Sequence, residues 1–450
     1  MAKQLFGTDG IRGVAGVPPL DAVTVTALGI ALGNDLVRRG LSKLPVLIGM
    51  DTRESGPAIA ATLAHGLARA GVSVRFAGIV TTPGVAYLAR TGSFSAGVMI
   101  SASHNPFSDN GIKVFARTGY KLPDDEEHEV EEEIFRILPD TQAERQPVLL
   151  DVDWDAEPYI EFLLSTLHTR LVKEDCAMKI VLDCGNGAAS ALAPELFRRA
   201  GADVVAIHNQ PDGRNINLHC GALHVESLRS KVLELGADAG VAFDGDADRA
   251  MFIAPSGRLI DGDACMLIAG RQLKADGHLP GNVIISTVMS NLGLEKALAR
   301  DGIAMPRTPV GDKYVLEEML RRGAALGGEQ SGHVIFREFA TTGDGMLTAL
   351  RLMETCARNN ATLDQLASDL VVYPQLLVNV RVKERRPLDQ LPAVRHEIAA
   401  CEKALDGSGR VLVRFSGTEP LARVMVEALN EADVRHWADR IAAVIRAELT

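Results

Sequence analysis

Three aspartates lie within five residues of each other in Asp244-Gly-Asp-Ala-Asp248-Arg249, directly after an apolar run. Carboxylates this close repel one another, and a bound cation relieves that repulsion. Because the donors are oxygen atoms without a neighbouring His or Cys, the expected ion is Mg²⁺ rather than Zn²⁺. An EF-hand is excluded, since Arg249 and Pro255 occupy the positions of its glycine and its bidentate glutamate. The alternative interpretation is a solvated acidic turn.

A second loop combines serine, histidine and lysine. Ser101-Ala-Ser-His-Asn-Pro106 follows a small-residue strand and precedes Asn110-Gly-Ile-Lys113. A serine at a strand end beside His and Lys could be a nucleophile or a phosphoryl carrier. The same composition is typical of a turn before proline. No G-x-S-x-G elbow surrounds either serine, which argues against acyl transfer by a hydrolase mechanism.

A glycine-rich loop, Gly327-Gly-Glu-Gln-Ser-Gly-His333, has the composition of a sugar-binding segment. Its polar residues Glu329, Ser331 and His333 alternate, so in an extended chain they point the same way. Side chains arranged in this way could hydrogen-bond sugar hydroxyls. A hairpin turn that uses glycine for positive φ is the alternative.

Two arginine-containing segments have the composition of anion sites. Arg414-Phe-Ser-Gly-Thr-Glu-Pro420 is followed by Arg423, and guanidinium groups beside exposed backbone amides can form a phosphate cradle. An ordinary surface turn ended by Pro420 is the alternative. Near the N-terminus, Phe6-Gly-Thr-Asp-Gly-Ile-Arg12-Gly is punctuated by glycine and could fold into a cleft.

A weak internal repeat predicts the elements that position these loops. Three segments share an apolar strand, a polar loop, a helix that ends near a glycine and a second strand; they begin at Val46, Lys179 and Val283. Each continues to another small-residue strand whose end carries one of the loops described above. Apolar strands separated by helices indicate βαβ units, and ligands bind beyond the carboxyl ends of such strands. In the third unit, Ile303–Met305 is predicted as a strand.

The remainder, from about Val371, has a different pattern of two helices and three strands, which predicts a small α+β domain.

The chain has 450 residues and a net charge of −11, which argues against nucleic acid or an anionic membrane as partner. No apolar run approaches the length of a membrane span, and no secretory signal is visible. None of the six cysteines forms a CxxC pair, which argues against a zinc site and predicts reduced thiols in the cytosol.

Five of the motifs stand in a characteristic order, and the chain resembles the α-D-phosphohexomutase superfamily from residue 4 to about residue 430. Within that superfamily, Gln330 is similar to the glucosamine branch, because relatives acting on mannose and glucose more often have Met there. The resemblance implies an α/β protein of four domains around a central cleft: three related βαβ repeats with mixed sheets and a smaller C-terminal α+β domain. We place these domains at residues 1–150, 151–252, 253–368 and 369–450.

The resemblance also implies residue roles. Ser103 carries phosphate, and a phosphoserine oxygen joins the aspartates in holding one Mg²⁺ per subunit. The remaining roles are the reacting centre, the sugar contacts and the grip on the non-reacting phosphate. The metal-binding aspartates are Asp244, Asp246 and Asp248; the reacting centre comprises Arg12, His104, Lys113 and Arg249; the sugar contacts are Glu329, Ser331 and His333; the phosphate contacts are Arg414, Ser416, Gly417, Thr418 and Arg423. Either Lys113 or His104 is the base. We expect Ser103 at a surface-facing loop end and Ser101 to tolerate substitution better.

The implied activity is the interconversion of glucosamine 6-phosphate and glucosamine 1-phosphate through a 1,6-bisphosphate, in the cytoplasm and on the route to UDP-N-acetylglucosamine and the cell wall. Glucosamine or glucose 1,6-bisphosphate is the expected activator. A kinase or a bisphosphate phosphorylates Ser103, neither nucleic acid nor a membrane is a partner, and a homodimer is left open. The alternative is a phosphoglucomutase or phosphomannomutase of the same superfamily.

Two alternative functions belong to other classes. The first is a phosphatase or mutase with an aspartyl nucleophile in Asp244-x-Asp246. Against it, Asp248 stands where Thr or Val is usual, and Ser103 would have no role. The second is a non-catalytic phosphosugar sensor, which the complete set of reactive residues argues against.

Overall fold

The computed structural model describes residues 5–7, 9–142, 149–173, 176–384, 386–387, 390–415 and 420–449. They form two compact units. The first comprises Met1–Val288 and Pro306–Ser368, and the second comprises Met289–Met305 and Asp369–Thr450. No helix among these residues combines the length and apolar character needed to cross a bilayer.

The first repeat is a mixed five-stranded sheet with the strand order β1-β5-β4-β2-β3. Strands β2, β3 and β4 are parallel, and β5 is antiparallel to both β4 and β1. Its elements are β1 (Ile11–Val14), α1 (Ala22–Arg38), β2 (Val46–Met50), α2 (Gly56–Arg69), β3 (Val74–Ile79), α3 (Thr82–Thr91), β4 (Ala96–Ile100), β5 (Asp109–Ala116) and α4 (Asp124–Ile137). Strand β4 is buried along its whole length, as expected for a strand with both faces covered.

The second repeat has the same plan, with the strand order β12-β11-β10-β8-β9. Strands β8, β9 and β10 are parallel, and β11 returns antiparallel to β10. The elements are α5 (Glu157–Ser165), β6 (Val172–Lys173), β7 (Cys176–Ala177), β8 (Lys179–Asp183), α6 (Ala189–Arg199), β9 (Asp203–Ile207), α7 (Glu226–Leu235), β10 (Ala239–Phe243), β11 (Ala250–Ile253) and β12 (Leu259–Ile260).

The third repeat has a four-stranded sheet with the order β14-β13-β15-β16. Its elements are α8 (Gly262–Ala275), β13 (Ile284–Thr287), α9 (Leu292–Arg300), β14 (Arg307–Thr308), α10 (Asp312–Arg322), β15 (Leu326–Gly328), β16 (Val334–Phe336), α11 (Gly345–Asn359) and α12 (Leu363–Leu366). Helix α9 belongs to the second unit. The strand predicted at Ile303–Met305 is wrong, because the strand after α9 is β14.

The three sheets place their polar loops at equivalent positions. In each repeat, a strand of the parallel set is followed by a loop and then by an antiparallel strand: β4 to β5, β10 to β11 and β15 to β16. The serine loop, the aspartate loop and the glycine-rich loop are these three connections. The expectation that repeated topology positions the chemistry at strand ends is therefore confirmed.

The second unit contains an antiparallel sheet of the order β17-β19-β18. Its elements, besides α9, are β17 (Gln375–Arg381), α13 (Pro392–Leu405), β18 (Gly409–Phe415), β19 (Leu421–Ala428) and α14 (Glu431–Leu449). Apolar residues of both helices and of the sheet form one core. The predicted fold class, three related α/β repeats with mixed sheets and a smaller α+β domain, is confirmed, and the domain boundaries stay predictions.

Candidate active site

The three aspartates of the loop between β10 and β11 form a buried cluster. One carboxylate oxygen of each lies within 4.8 Å of the others, and none of the three residues is more than 5% exposed. Burial, followed by the charges of Asp248 and Asp246, raises the pKa of Asp244 well above its ordinary value. Asp246 Oδ1 is buried without a hydrogen-bond partner among the described residues. An all-oxygen donor set with an unsatisfied buried oxygen fits a hard divalent cation.

Ser103 lies against this cluster. Its hydroxyl donates to Asp244 Oδ2 at 2.6 Å and lies 3.3 Å from His104 Nδ1. The residue has a left-handed backbone, with φ of +54°, which is rare for a serine and aims its side chain at the aspartates. The expectation of a surface-facing loop end is wrong, because Ser103 is only 1% exposed.

A glycine allows the serine loop and the aspartate loop to approach so closely. A Cβ atom on Gly245 would lie 2.5 Å from the carbonyl oxygen of Ser103, a distance that real side chains do not tolerate. The residue type between Asp244 and Asp246 is therefore dictated by contact between two repeats. Neither loop alone carries this information in its sequence.

Arg53 was missed by the sequence analysis, although it organises the serine loop. Its guanidinium group has no exposed surface and forms an ion pair with Asp51 at 2.9 Å. All five N–H groups have acceptors: the Asp51 carboxylate for Nε, and backbone carbonyl oxygens between residues 103 and 109 for the other four. These carbonyl groups belong to Pro106 and Asp109 for Nη1, and to Ser103 and Asn105 for Nη2.

Ser101 belongs to the same network. It is buried, donates to Asp51 Oδ2 at 2.6 Å and accepts the backbone N–H of Ser103 at 2.9 Å. Its hydroxyl therefore connects the buried carboxylate to the reactive serine. This geometry argues against Ser101 as the tolerant position that the sequence suggested. The signal for this network was a charged pair, Asp51 and Arg53, directly after the buried strand β2.

Lys113, on β5, faces the aspartates. Its Nζ lies 2.9 Å from Asp246 Oδ2, 3.3 Å from Asp248 Oδ2 and 3.1 Å from Asp9 Oδ2. Burial opposes its positive charge, but Asp246, Asp9 and Asp248 raise the pKa of Lys113 well above its ordinary value. The lysine is thus a buried cation that compensates the acidic cluster. The contact with Asp9 was not expected from the sequence.

His104 has the opposite electrostatic character. Burial, reinforced by the positive charges of Arg249 and Arg12, lowers the pKa of its imidazole to about 4. At neutral pH the ring is therefore uncharged and can accept a proton. Of the two candidate bases, the histidine is beside the Ser103 hydroxyl and the lysine is held among carboxylates.

Two arginines complete the predicted reacting centre. Arg12, on β1, is paired with Asp9, and the backbone N–H of Arg249 donates to Asp244 Oδ1 at 3.2 Å. The Nε atoms of both arginines make no hydrogen bond with the described residues. Guanidinium N–H groups that have no protein acceptor can donate hydrogen bonds to phosphate oxygens.

The glycine-rich loop reaches the aspartate loop as a hairpin turn. Gly332 donates to the Glu329 carbonyl at 3.1 Å, and its own carbonyl accepts the N–H of Ala250 at 3.1 Å. The expectation that Glu329, Ser331 and His333 point the same way is wrong, because the segment turns instead of extending. Ser331 is exposed and Glu329 is half-buried.

His333 is the buried member of that hairpin. Its Nδ1 lies 3.6 Å from Asp248 Oδ1 and its Nε2 lies 3.6 Å from Asp312 Oδ2, while Nε2 accepts the N–H of Gly343 at 2.9 Å. Burial opposes protonation, but the charges of Asp248 and Asp312 raise the pKa of His333. The ring therefore supports an aspartate of the cluster in this conformation.

Arg414 and Arg423 lie in the second unit. They face each other across the antiparallel pair β18 and β19. Burial and the charge of Arg423 lower the pKa of Arg414. Like charges directly opposite are unfavourable in a sheet, which suits an anion site. Ser416, Gly417 and Thr418 lie outside the described residues.

Four family models match the chain in order. They are the phosphoglucomutase/phosphomannomutase alpha/beta/alpha domain I at residues 3–140, domain II at 157–257, domain III at 261–373 and the C-terminal domain at 377–444. Together they cover most of the sequence. They bear out the expected number and order of domains.

Curated relatives match along the whole length. The phosphoglucosamine mutase of Solibacter usitatus (strain Ellin6076) is 60% identical over 453 residues, with 100% of both chains covered. That of Koribacter versatilis (strain Ellin345) is 51% identical, with 99% of this chain and 97% of the relative covered.

Solved structures have the same fold. A phosphoglucomutase/phosphomannomutase family protein of Burkholderia thailandensis has a TM-score of 0.80 at 26% identity, covering 98% of this chain and 97% of that one. The N-acetylphosphoglucosamine mutase of Aspergillus fumigatus, in complex with GlcNAc-6P and magnesium, has a TM-score of 0.64 at 19% identity, with 99% and 96% covered. From the ordered domain matches and the full-length identity, we conclude that the chain belongs to the phosphoglucosamine mutases of the phosphoglucomutase/phosphomannomutase family.

Proposed function

We propose that the chain interconverts glucosamine 6-phosphate and glucosamine 1-phosphate as an intramolecular phosphotransferase of the isomerase class. The observation that carries the proposal is the 2.6 Å hydrogen bond from the Ser103 hydroxyl to Asp244, within a cluster suited to a cation. Full-length relatives named phosphoglucosamine mutase support the choice of substrate. The reaction would serve amino-sugar and cell-wall precursor synthesis in the cytoplasm.

The proposed reaction has two phosphoryl transfers. The sugar's 1-hydroxyl attacks phosphorus on phosphorylated Ser103, the P–Oγ bond breaks, and the hydroxyl proton passes to a base. The base passes this proton to the Ser103 oxygen, so the products are the 1,6-bisphosphate and unphosphorylated Ser103. After the bisphosphate reorients, the Ser103 hydroxyl loses its proton to the base and attacks the phosphorus of the 6-phosphate. The bond from that phosphorus to the sugar's 6-oxygen breaks, and the 6-oxygen takes the proton from the base to give glucosamine 1-phosphate. The phosphate on Ser103 is thereby regenerated, so atoms and charge balance over the cycle.

Asp244, Asp246 and Asp248 would hold one Mg²⁺ together with an oxygen on Ser103. When bound, the ion supplies charge neutralisation on the transferring phosphoryl group. The protein's own groups do the rest: Arg53 fixes the loop that presents Ser103, and the free N–H groups of Arg12 and Arg249 can bind phosphate oxygens.

We propose His104 as the proton acceptor. Its Nδ1 is 3.3 Å from the Ser103 oxygen, so the ring is placed to take the proton of that hydroxyl in the second transfer and to return one to it in the first. Lys113 instead directs its ammonium group at three carboxylates. In this assignment the lysine stabilises the negative cluster and the histidine moves the proton.

The remaining contacts are proposed from the motifs. Glu329 and Ser331 would bind sugar hydroxyls, with His333 supporting Asp248. Arg414 and Arg423 would hold the phosphate that is not reacting, and their unfavourable mutual charge supports that role. Either glucosamine or glucose 1,6-bisphosphate would load Ser103 and restart enzyme that has lost its phosphate; a kinase is the other route.

The second candidate is phosphoglucomutase or phosphomannomutase activity, which the family models name in their descriptions. Gln330, the residue that suggested the glucosamine branch, donates to Asp261 Oδ2 at 3.3 Å rather than projecting freely. The use of Gln330 to assign the chain to the glucosamine branch therefore rests on the sequence pattern.

The test is a comparison of turnover. Purified protein with Mg²⁺ and a trace of glucose 1,6-bisphosphate is given the 6-phosphates of glucosamine, glucose and mannose, and the 1-phosphates are followed by phosphorus NMR. The proposal predicts the highest kcat/KM with glucosamine 6-phosphate. A preference for glucose 6-phosphate or mannose 6-phosphate would support phosphoglucomutase or phosphomannomutase activity. Binding without turnover would indicate a non-catalytic phosphosugar sensor.

A further inference from the structure

A second cluster of metal-ligating side chains lies in the second repeat. Asp183, His208 and Cys220 each offer one ligand atom, and these atoms lie within 4.8 Å of one another. We propose that these three residues form a cation site, separate from the acidic cluster, that takes a borderline-soft divalent ion such as Zn²⁺. No pair of cysteines at zinc-ligand spacing indicates it, because its ligands come from three separate segments of the chain.

The fold holds the carboxylate in place. Asp183 is the last residue of β8; its Oδ1 accepts the N–H of Gly185 at 2.9 Å, and its Oδ2 accepts the N–H of Gly221 at 3.0 Å. These bonds fix the direction of both oxygens and leave lone pairs for a further partner. The hydrogen bond from Gly221, the residue after Cys220, therefore holds the segment that carries the thiol beside the carboxylate.

The histidine is presented by an unusual backbone. His208 follows β9 with a φ of +47°, in the left-handed region that few non-glycine residues adopt. Its Nδ1 lies 3.1 Å from Asp183 Oδ2. Its carbonyl accepts the N–H of Asn186 at 2.6 Å, which helps to hold this conformation. The left-handed backbone turns the imidazole toward the Asp183 carboxylate, so that a nitrogen and an oxygen donor lie side by side.

The donor set determines the class of ion. Nitrogen, sulfur and one carboxylate oxygen suit Zn²⁺ or Co²⁺, whereas Mg²⁺ prefers oxygen alone. Ligands at about 2.0–2.3 Å from a tetrahedral ion lie roughly 3.3–3.8 Å apart. The three ligand atoms lie within 4.8 Å of one another, so ion binding requires them to approach by at most about 1.0–1.5 Å. Binding would replace the S–H bond of Cys220 by a sulfur–metal bond and release the proton to solvent.

Solvent can reach the cluster through its histidine. The side chain of His208 is 31% exposed, while Asp183 is fully buried. The site would therefore be an open one, with three protein ligands and a fourth position for water. The segment after Asp183 contacts the aspartate loop, since the N–H of Ala188 donates to the Gly245 carbonyl at 2.8 Å.

The experiment is a Co²⁺ titration of the full chain with Mg²⁺ in large excess to occupy the acidic cluster. Only a thiolate ligand gives the near-ultraviolet sulfur-to-cobalt charge-transfer band, so the acidic cluster cannot produce it. Cys176 is exposed and the other five cysteines are buried; the parent protein is therefore Cys176→Ser. We expect one equivalent of Co²⁺ to give the band and Zn²⁺ to abolish it.

Two variants decide the assignment. Cys220→Ser should lose the band, and His208→Ala, a change at a partly exposed side chain, should weaken Co²⁺ binding at least about tenfold. No band in the parent protein, or a band that survives Cys220→Ser, would overturn the proposal. If Cys220→Ser does not fold, unchanged affinity in His208→Ala overturns it. Because the readout is metal binding, either result leaves the proposed mutase reaction untouched.

Discussion

Arg53 offers a test of how the serine loop is positioned. Arg53→Lys keeps the charge but replaces five N–H donors by the three of an ammonium group. At least two of the five acceptors therefore lose the arginine as donor, although the carbonyl groups of Ser103 and Asn105 also accept from Asn217. Each hydrogen bond from a charged donor contributes about 1.5–3 kcal/mol, so the loss of two such bonds costs the observed loop about 3–6 kcal/mol relative to alternatives in which these carbonyl groups reach water.

A loss of this size is enough to displace Ser103 from Asp244. A misplacement of about 1 Å at a reacting group can lower the rate on the order of 100-fold. Arg53→Lys should therefore lower kcat by that order. It should change KM little, since the proposed sugar contacts lie on a different repeat. Measurements of kcat and KM for glucosamine 6-phosphate, together with the fraction of Ser103 phosphorylated by bisphosphate, test this.

The matched control is Arg351→Lys. Arg351 is also buried and donates to the Thr166 carbonyl at 2.8 Å and to Glu354 at 2.7 Å, but it does not contact the serine loop. The Arg351→Lys substitution should lower the midpoint of unfolding and leave kcat unchanged. A kcat near wild type in Arg53→Lys, with normal phosphorylation of Ser103, would refute the positioning role.

Three other predictions concern metal, phosphate and pH. Chelation by EDTA should abolish turnover, with Mg²⁺ restoring it better than Ca²⁺, which prefers more ligands and looser geometry; full activity without a divalent ion contradicts the metal assignment. Arg414→Ala should raise KM and lower kcat, reducing kcat/KM roughly 10- to 150-fold for a lost charge-assisted contact; an unchanged KM would remove Arg414 from the phosphate site. Asp344 is the N-cap residue of α11 and accepts a hydrogen bond from the Tyr159 hydroxyl at 2.8 Å. Burial raises the pKa of its carboxyl group to about 6, so the folded state binds a proton at this group more tightly than the unfolded state. Stability from this group is complete below its ordinary pKa and falls by about 3 kcal/mol as pH rises from about 4 to 6. Asp344→Asn should lack that decline in urea unfolding; identical pH profiles would contradict it.

Sequence reasoning located the reactive loops because polar residues directly after buried strands lie at a sheet edge. The aspartate cluster and Ser103 carry their chemistry in short, contiguous motifs, so local spacing was sufficient. The role of Arg53 could not be obtained in this way, since its backbone acceptors lie about fifty residues later in the chain.

The same limit explains the other differences. Ser103 can be buried because Gly245 has no side chain. This absence has an effect only where the first and second repeats are in contact. The alternation of polar residues from Glu329 to His333 predicted side chains that point in one direction, but the antiparallel pairing of β15 with β16 requires a turn in this segment. Asp183, His208 and Cys220 are brought together by the ends of separate strands and loops, and no local pattern connects them.

The central claim is that Ser103 carries the transferred phosphate. The most direct measurement is to incubate the protein with Mg²⁺ and ³²P-labelled glucose 1,6-bisphosphate, isolate the labelled enzyme and map the label. The account predicts acid-stable phosphate on Ser103, absent in Ser103→Ala and transferred to sugar when glucosamine 6-phosphate is added. A hydroxylamine-labile acyl phosphate on Asp244 or Asp246, or undiminished labelling and turnover in Ser103→Ala, would contradict it.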